Sequence, residues 1–561
     1  MSLFEEILAS RGLTGKKRDA FLNPSYDEKH NPYLLPDIES AVNRLVEARK
    51  KGHRITIYGD YDIDGLTATT LLLDALESFG FDNVKAYIPN RFVEGYGLTI
   101  DAVERIAAEG ANLIVTVDCG SLSQKEIIRA NELGVDVIVT DHHNVAPVQP
   151  PAIAVINPKR LLQDYPNEYV DYVLKEDSKY QGKLYPFLDL AGVGVAFKLV
   201  QALQKNIEGL PEGQEKWLLD LVALGTVCDV VNLTNENRAN VYWGLKVLAK
   251  TRRPGIKSLM AVSGVTSDNL SARSLGFALG PRMNASGRLE TAQHSLNLLT
   301  AGTLEEATMF AQKLDVLNTT RKEEQNRIFK EADHQAGYFL DDNVLVLSAE
   351  NWSHGIIGIV AAKIMEKYNK PTFVLEELGD VSKGSARSFG DFSAADAIRA
   401  ADDIITKGGG HKFAAGVTLP TEKIIEFRRR VNDYYRTINL FNQNEFLAAK
   451  EDVVAPLVDI NENLVENIAA MEPFGNGNPE PVISTQNLRV MYIKKMGADN
   501  QHVKIRLQDI DGGKIDMIAF NAPEHFFVEK DERLTVWYQP IVNEWKGQRS
   551  VEGRLLRLER A

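Results

Sequence analysis

The apolar positions of this chain change their spacing several times, and each change marks a region. From about residue 46, short apolar runs end in Gly/Asp turns and alternate with helix-length amphipathic stretches. Arg54–Tyr58 (RITIY), Val84–Ile88, Asn112–Val117 (NLIVTV) and Val135–Thr140 (VDVIVT) read as strands, and Leu66–Phe79 as a helix. The last two strands are apolar enough to be covered on both faces, as in a parallel sheet flanked by helices. Helical spacing then fills about 189–250. Over about 304–337, Ala307, Phe310, Ala311, Leu314 and Leu317 recur at helical intervals within a charged stretch, which predicts one long connecting helix. A second strand–helix–strand pattern follows in Val344–Ser348, His354–Lys367 and Pro371–Leu375. After about 450 the segments become short and alternating (Leu488–Ile493, Val503–Leu507, Lys514–Phe520, Leu534–Tyr538), the pattern of a small β-barrel or sandwich.

The expected class is therefore α/β. The chain divides into an N-terminal extension (1–45), a parallel-sheet domain (46–303), a connecting helix (304–337), a second α/β domain (338–450) and a β domain (451–561). The length of 561 residues agrees, since domains run to roughly 100–200 residues each. Two cysteines exclude a disulfide scaffold and a Cys-based zinc module, and fit a reducing compartment. No apolar run approaches the roughly 18 residues of a membrane span. The acidic start, MSLFEEILASRGL, is unlike an export signal. These features lead us to expect a cytoplasmic monomer with no membrane partner. The net charge of −13 weighs, at first, against nucleic acid.

The placement of the carboxylates changes that picture. Asp60, Asp62 and Asp64 alternate in YGDYDIDG, directly after a predicted strand. Three close carboxylates repel one another unless cations are present, and their hard oxygens suit Mg²⁺ or Mn²⁺. An Asp-rich turn capping the next helix is the bland alternative. An EF-hand is disfavoured, because Leu71 stands where the bidentate Glu belongs. Asp118 (VDCG) and Asp141-His142-His143 (TDHH) also follow predicted strands, and Asp229 (GTVCD) ends an apolar stretch where it needs a partner or a capping role. In a parallel sheet those strand ends converge on one edge. Jointly these groups make a site for two cations, which at roughly 3.5–4 Å apart can activate a water and stabilise the leaving oxygen of a phosphate ester. The added imidazole favours Mn²⁺ slightly over Mg²⁺. Gly192-Val193-Gly194 lacks the third glycine of a dinucleotide loop, and no Walker pattern is present.

DYDIDG, VDCG, TDHH and GTVCD resemble the four motifs of the DHH phosphoesterase superfamily. GPRMNASGR (280–288), SHGIIG (353–358), GSARS (384–388), GGGHKFAAG (408–416) and the turn PFGNGNP (473–479) are similar to its RecJ branch. The resemblance implies a DHH domain, a connecting helix, a DHHA1 domain and an OB-fold. The implied activity is 5′→3′ exonuclease action on single-stranded DNA, in repair and recombination, with a helicase and a single-strand-binding protein as family-level partners. It further implies that Asp62, Asp64, Asp118, His142 and Asp229 are metal ligands, with Asp118 and Asp229 bridging. Asp60 would lie at the edge of the site, Asp141 would orient it, and His143 would contact the scissile phosphate. Arg387 with Ser385, and Arg282, would hold the 5′-end phosphate, Arg91 is a further phosphate candidate, and Gly409, Gly410 and His411 would form part of a backbone phosphate nest.

From 486 to 561 the chain carries 13 Lys and Arg against 11 Asp and Glu, so this C-terminal stretch is less acidic than the whole. Lys494, Lys495, Arg506, Lys546 and Arg549 are its candidate phosphate contacts, and one or two of Tyr492, Phe520, Trp537, Tyr538 and Trp545 are candidate base-stacking residues. Two other readings compete. A small-molecule or short-oligonucleotide phosphoesterase would share the chemistry, but the extension and β domain favour a polymer substrate. A binding scaffold with a degenerate site is disfavoured because every acidic and His position is intact.

Overall fold

The computed structural model describes residues 1–174, 181–438, 450–497, 500–545 and 547–560. Five strands form the first sheet: β1 (Ile55–Gly59), β2 (Val84–Tyr87), β3 (Leu113–Val117), β4 (Asp136–Thr140) and β5 (Ala154–Ile156). Their order is β2-β1-β3-β4-β5, and every pairing is parallel. β1 and β3 are buried at every position and β4 at all but Asp136, as in a parallel sheet flanked by helices. The register pairs Gly59 with Val117 and Val117 with Thr140, so the carboxyl ends of β1, β3 and β4 stand side by side. Asp60, Asp118 and Asp141 are the next residues on those three strands. The helix expected from Leu66 begins three residues earlier and runs Ile63–Ser78.

The second sheet comprises β6 (Leu345–Glu350), β7 (Thr372–Leu378), β8 (Val381–Arg387), β9 (Lys407–Gly410) and β10 (Ala414–Pro420), in the order β6-β7-β8-β10-β9. β6 and β7 are parallel and the other pairings antiparallel. Helix Ile357–Tyr368 and the end of helix Leu304–Ala336 contribute to one apolar core of this unit, and helix Ile424–Thr437 to another.

β11 (Val453–Val454) adds to the edge of a barrel built from β12 (Ile483–Met496), β13 (His502–Gln508), β14 (Lys514–Ala519), β16 (Gln548–Arg560) and β15 (Arg533–Trp545). β12 pairs with β15 to close it, and β14 pairs with β16 in parallel, the topology of an OB-fold. Its core also takes Phe4, Ile7 and Leu8 from helix Leu3–Ser10. Burying each such side chain contributes about 1.5–3 kcal/mol, which gives the N-terminal extension a structural task.

By contacts the chain forms two units, 1–281 with 295–308 and 449–561, and 282–294 with 309–448. The barrel therefore belongs with the first sheet. Among the described residues no helix is long and apolar enough to cross a membrane.

Candidate active site

The site is built from the carboxyl ends of β1, β3 and β4 and two helix ends. Asp62 caps helix Ile63–Ser78 and accepts the Gly65 N–H at 3.1 Å. A Cβ on Gly65 would fall 2.6 Å from the Asp60 backbone, so the chain can turn this tightly only with glycine there. Asp64, in the first helical turn, accepts the N–H groups of Gly192 and Val193 at 2.6 and 2.8 Å. Asp118 sits at φ 62°, an uncommon conformation for a side chain other than glycine, at the end of β3. Asp229 ends helix Leu219–Cys228, where the helix dipole opposes a negative charge.

These side chains converge. His142 Nε2 lies 3.0 Å from Asp118 Oδ1, 3.6 Å from Asp229 Oδ2 and 3.8 Å from Asp64 Oδ2. Three groups have ligand-competent atoms within reach of one ion: Asp60, Asp62 and Asp118; Asp64, His142 and Asp229; and Asp118, His142 and His143. Asp118 and His142 each belong to two of these groups, and Asp229 to one. Asp60, expected at the edge, is buried.

The electrostatics of these groups call for cations. Asp60 Oδ1, Asp118 Oδ1, His142 Nε2 and Asp229 Oδ2 are buried without a hydrogen-bond partner among the described residues. Leaving such atoms unmatched is costly, and divalent cations match all four. Burial, then the Asp62 charge, raises Asp64 to about 7 despite its two backbone donors. Burial, then the charges of Asp64 and Asp62, raises Asp229 to about 9. Asp60 and Asp118 are raised for the same reasons. Burial, then the neighbouring His143, lowers His142 to about 3, so it is a neutral donor of the kind metals take.

Asp141 behaves differently. Burial pushes its carboxyl up, but hydrogen bonds and charge from His143 outweigh that and hold it low. It accepts N–H groups from Ser121, His142 and His143 at 2.9, 2.7 and 3.1 Å, and its Oδ1 lies 2.9 Å from His143 Nδ1. Burial opposes charge on His143, but Asp141 raises its pKa overall. The Tyr96 hydroxyl lies 3.1 Å from the same Nδ1. Arg91 lies over the Tyr61 ring at 4.7 Å, and its charge reaches Asp60.

The remaining predicted residues lie in the second unit. Ser385 and Arg387 end β8 against the first turn of helix Ile357–Tyr368: a Cβ on Gly358 would stand 3.2 Å from Arg387 Nη2 and 3.5 Å from the Ser385 side chain. Arg282 pairs with Asp315 at 2.8 Å. Gly408, Gly409 and Gly410 are extended and paired with β10, and the His411 N–H bonds the Ala414 carbonyl. This run is an exposed edge strand that ends in Gly410 at φ 145°.

In the barrel, Arg506 pairs with Asp516 and Arg549 with Glu462 and Glu466, so neither is a ready phosphate contact. Tyr492 and Phe520 are exposed, while Trp537 and Tyr538 are buried. Lys546 and the side chain of Trp545 lie outside the described residues.

Family models match in three places: the DHH family N-terminal domain over residues 54–226, the DHHA1 domain over 341–437 and the RecJ OB domain over 451–556. The single-stranded-DNA-specific exonuclease RecJ of Dickeya dadantii is 36% identical over 540 residues, covering 92% of this chain and 90% of that protein. The chain belongs to the RecJ family. The Bacillus subtilis RecJ is 34% identical over 98% of this chain, which spans 66% of that relative's length. The crystal structure of Thermus thermophilus RecJ in complex with Mn²⁺ superimposes with a TM-score of 0.82 at 28% identity, covering 99% of this chain and 75% of that one.

Within this RecJ-family chain, several site residues escaped the sequence reading. The amides of Gly192 and Val193 had a visible signal, the glycine pair set aside as an incomplete dinucleotide loop. A Cβ on Gly192 would fall 2.8 Å from Asp118 Oδ1, so the glycine admits the carboxylate. Tyr96 and Ser121 had no signal, since isolated residues of these types are common.

Proposed function

We propose that this chain hydrolyses single-stranded DNA from the 5′ end to mononucleotides, using two divalent cations, Mn²⁺ or Mg²⁺. The observation that carries this reading is the set of four buried, unpartnered ligand atoms on Asp60, Asp118, His142 and Asp229, in a chain related to RecJ exonucleases along nearly its whole length. Asp60, Asp62, Asp64, Asp118, His142 and Asp229 would hold the cations. When bound, such cations lower the pKa of an attacking water and neutralise the leaving oxygen.

The chain's own residues do the rest. Asp141 fixes the ring of His143 and favours its protonated form, presenting positive charge, or a proton, to the scissile phosphate. Arg91 extends positive charge toward the incoming backbone. Ser385 and Arg387, beside the positive end of helix Ile357–Tyr368, suit the anion of a 5′ end. Tyr492 and Phe520 on the barrel suit stacking on bases of the single strand. We extend the reading to a monomer acting in the cytoplasm, in repair and recombination, alongside a helicase and a single-strand-binding protein.

The test is digestion of single-stranded and duplex DNA of one sequence with Mn²⁺, Mg²⁺ or EDTA. Mononucleotides should appear from the single strand alone and only with a cation. Equal digestion of the duplex, or digestion in EDTA, would overturn the reading.

A further inference from the structure

The turn Pro473–Pro479 (PFGNGNP) has no role in the chemistry above, yet it touches the segment that follows Asp229. Val230 adopts φ 62°. For a β-branched residue this is a strained conformation, and it persists only when the surroundings impose it. The Val230 side chain does not supply that restraint, because it is 66% exposed.

The restraint comes from the turn. Asn476 Nδ2 donates to the Val230 carbonyl at 3.1 Å, and the Leu233 N–H donates to the Asn476 carbonyl at 2.7 Å. Asn476 thus grips both ends of the segment Val230–Leu233. The close approach depends on glycine: a Cβ on Gly475 would fall 2.7 Å from the Leu233 side chain. Gly477 is at φ 73°, and a Cβ there would fall 3.1 Å from Asn232. The turn is itself fixed. Gly475 and Asn478 exchange backbone hydrogen bonds at 2.9 and 3.1 Å. Arg238 donates to the carbonyls of Glu472 and Pro473 at 2.9 and 3.3 Å.

The same contacts reach the other side of the site. Asn232 Nδ2 donates to Asp189 at 2.9 Å. Asp189 lies just before Leu190, whose backbone bonds His142, and before the Gly192 and Val193 amides that bond Asp64.

We propose that this turn, which leads from residues 451–472 into the barrel, is a brace for the metal centre, with Asn476 its positioning residue. It imposes the strained backbone that aims Asp229 and, through Asn232, steadies the loop behind Asp64 and His142. The C-terminal region then has a task in cation binding that is separate from any contact with DNA. The inference rests on the two-cation reading for its metal readout, and on backbone protection for a readout that does not depend on metal.

The experiment compares wild type with Asn476→Ala and Gly477→Val, using Arg489→Ala, a surface variant of the barrel, as control. Hydrogen exchange of metal-free protein should show lost protection at residues 229–233 in both turn variants and none in the control. Calorimetric titration with Mn²⁺ should show affinity lowered about tenfold in Asn476→Ala, within the 10–100-fold range of supporting residues around metal ligands, with the melting temperature nearly unchanged. Unchanged protection at 229–233 in Asn476→Ala would overturn the brace. So would lost protection there with wild-type Mn²⁺ affinity, which would make the contact merely structural. Failure of wild type itself to bind Mn²⁺ would reject the two-cation reading and the metal role of the brace, leaving the exchange result to judge the backbone contact.

Discussion

His142 Nε2 stands 3.0 Å from Asp118 Oδ1, and neither atom has a hydrogen-bond partner among the described residues. The ring bonds the Leu190 backbone, and burial keeps it neutral. Its second nitrogen therefore turns a lone pair toward a carboxylate, an arrangement that two acceptors sustain only with a proton or a cation between or beside them. Asp118 and His142 each belong to two of the three ligand groups. Asp118→Ala should lower single-strand hydrolysis by at least about a hundredfold, the upper end of what supporting residues around metal ligands cost. Circular dichroism should show the fold retained, and the metal-free melting temperature should not fall, because a buried repulsive charge has been removed. Turnover near the wild-type value would reject the metal assignment.

Proton binding supplies a second prediction. In the metal-free fold Asp64 is raised to about 7 and Asp229 to about 9, against an unfolded carboxyl near 3.9. Between those limits the folded state binds more protons than the unfolded one, so stability falls as pH rises through about 7 to 9. Cations replace those protons. The rise in melting temperature on adding Mn²⁺ should therefore be larger at pH 8.5 than at pH 5.5. An equal rise, or a larger one at pH 5.5, would count against cations binding these carboxylates.

Asp141 acts through the two histidines. It accepts both histidine N–H groups and holds the His143 ring. Asp141→Asn removes the charge that favours protonated His143, so kcat should fall about 10–100-fold. The alkaline limb of the rate profile should also move to lower pH. A fall in kcat with an unshifted limb would assign Asp141 to packing alone.

Much of this site was legible because Asp60, Asp118 and Asp141 each follow a strand whose apolar run announces itself, and a parallel register brings strand ends together. Asp229 was harder, since it ends a helix. The glycine pair at Gly192 and Gly194 was visible, but its partner was not, because Asp64 is 128 positions away from Gly192 in sequence. At 408–410 composition signals only permissive backbone, and pairing with β10 decides its shape. β16 escaped notice because its exposed half alternates charged and small residues with little apolar signal.

The barrel offers Tyr492 and Phe520 at its surface, with Arg506 5.2 Å from the Tyr492 ring centre. Replacing both aromatics with Ala should weaken binding of long single strands about tenfold or more, since each stacked base contributes about 1–3 kcal/mol. Turnover of short oligonucleotides should stay near wild type. Unchanged affinity for long strands would remove these residues from the DNA path.

The central claim is tested most directly by a time course on one single-stranded oligonucleotide labelled at either end, with Mn²⁺, using wild type and Asp118→Ala prepared alongside. The account predicts that the 5′ label appears at once as mononucleotide while the 3′ label stays on progressively shorter strands, and that the variant releases neither. Release of the 3′ label first, internal cuts, or equal release by the variant would contradict it.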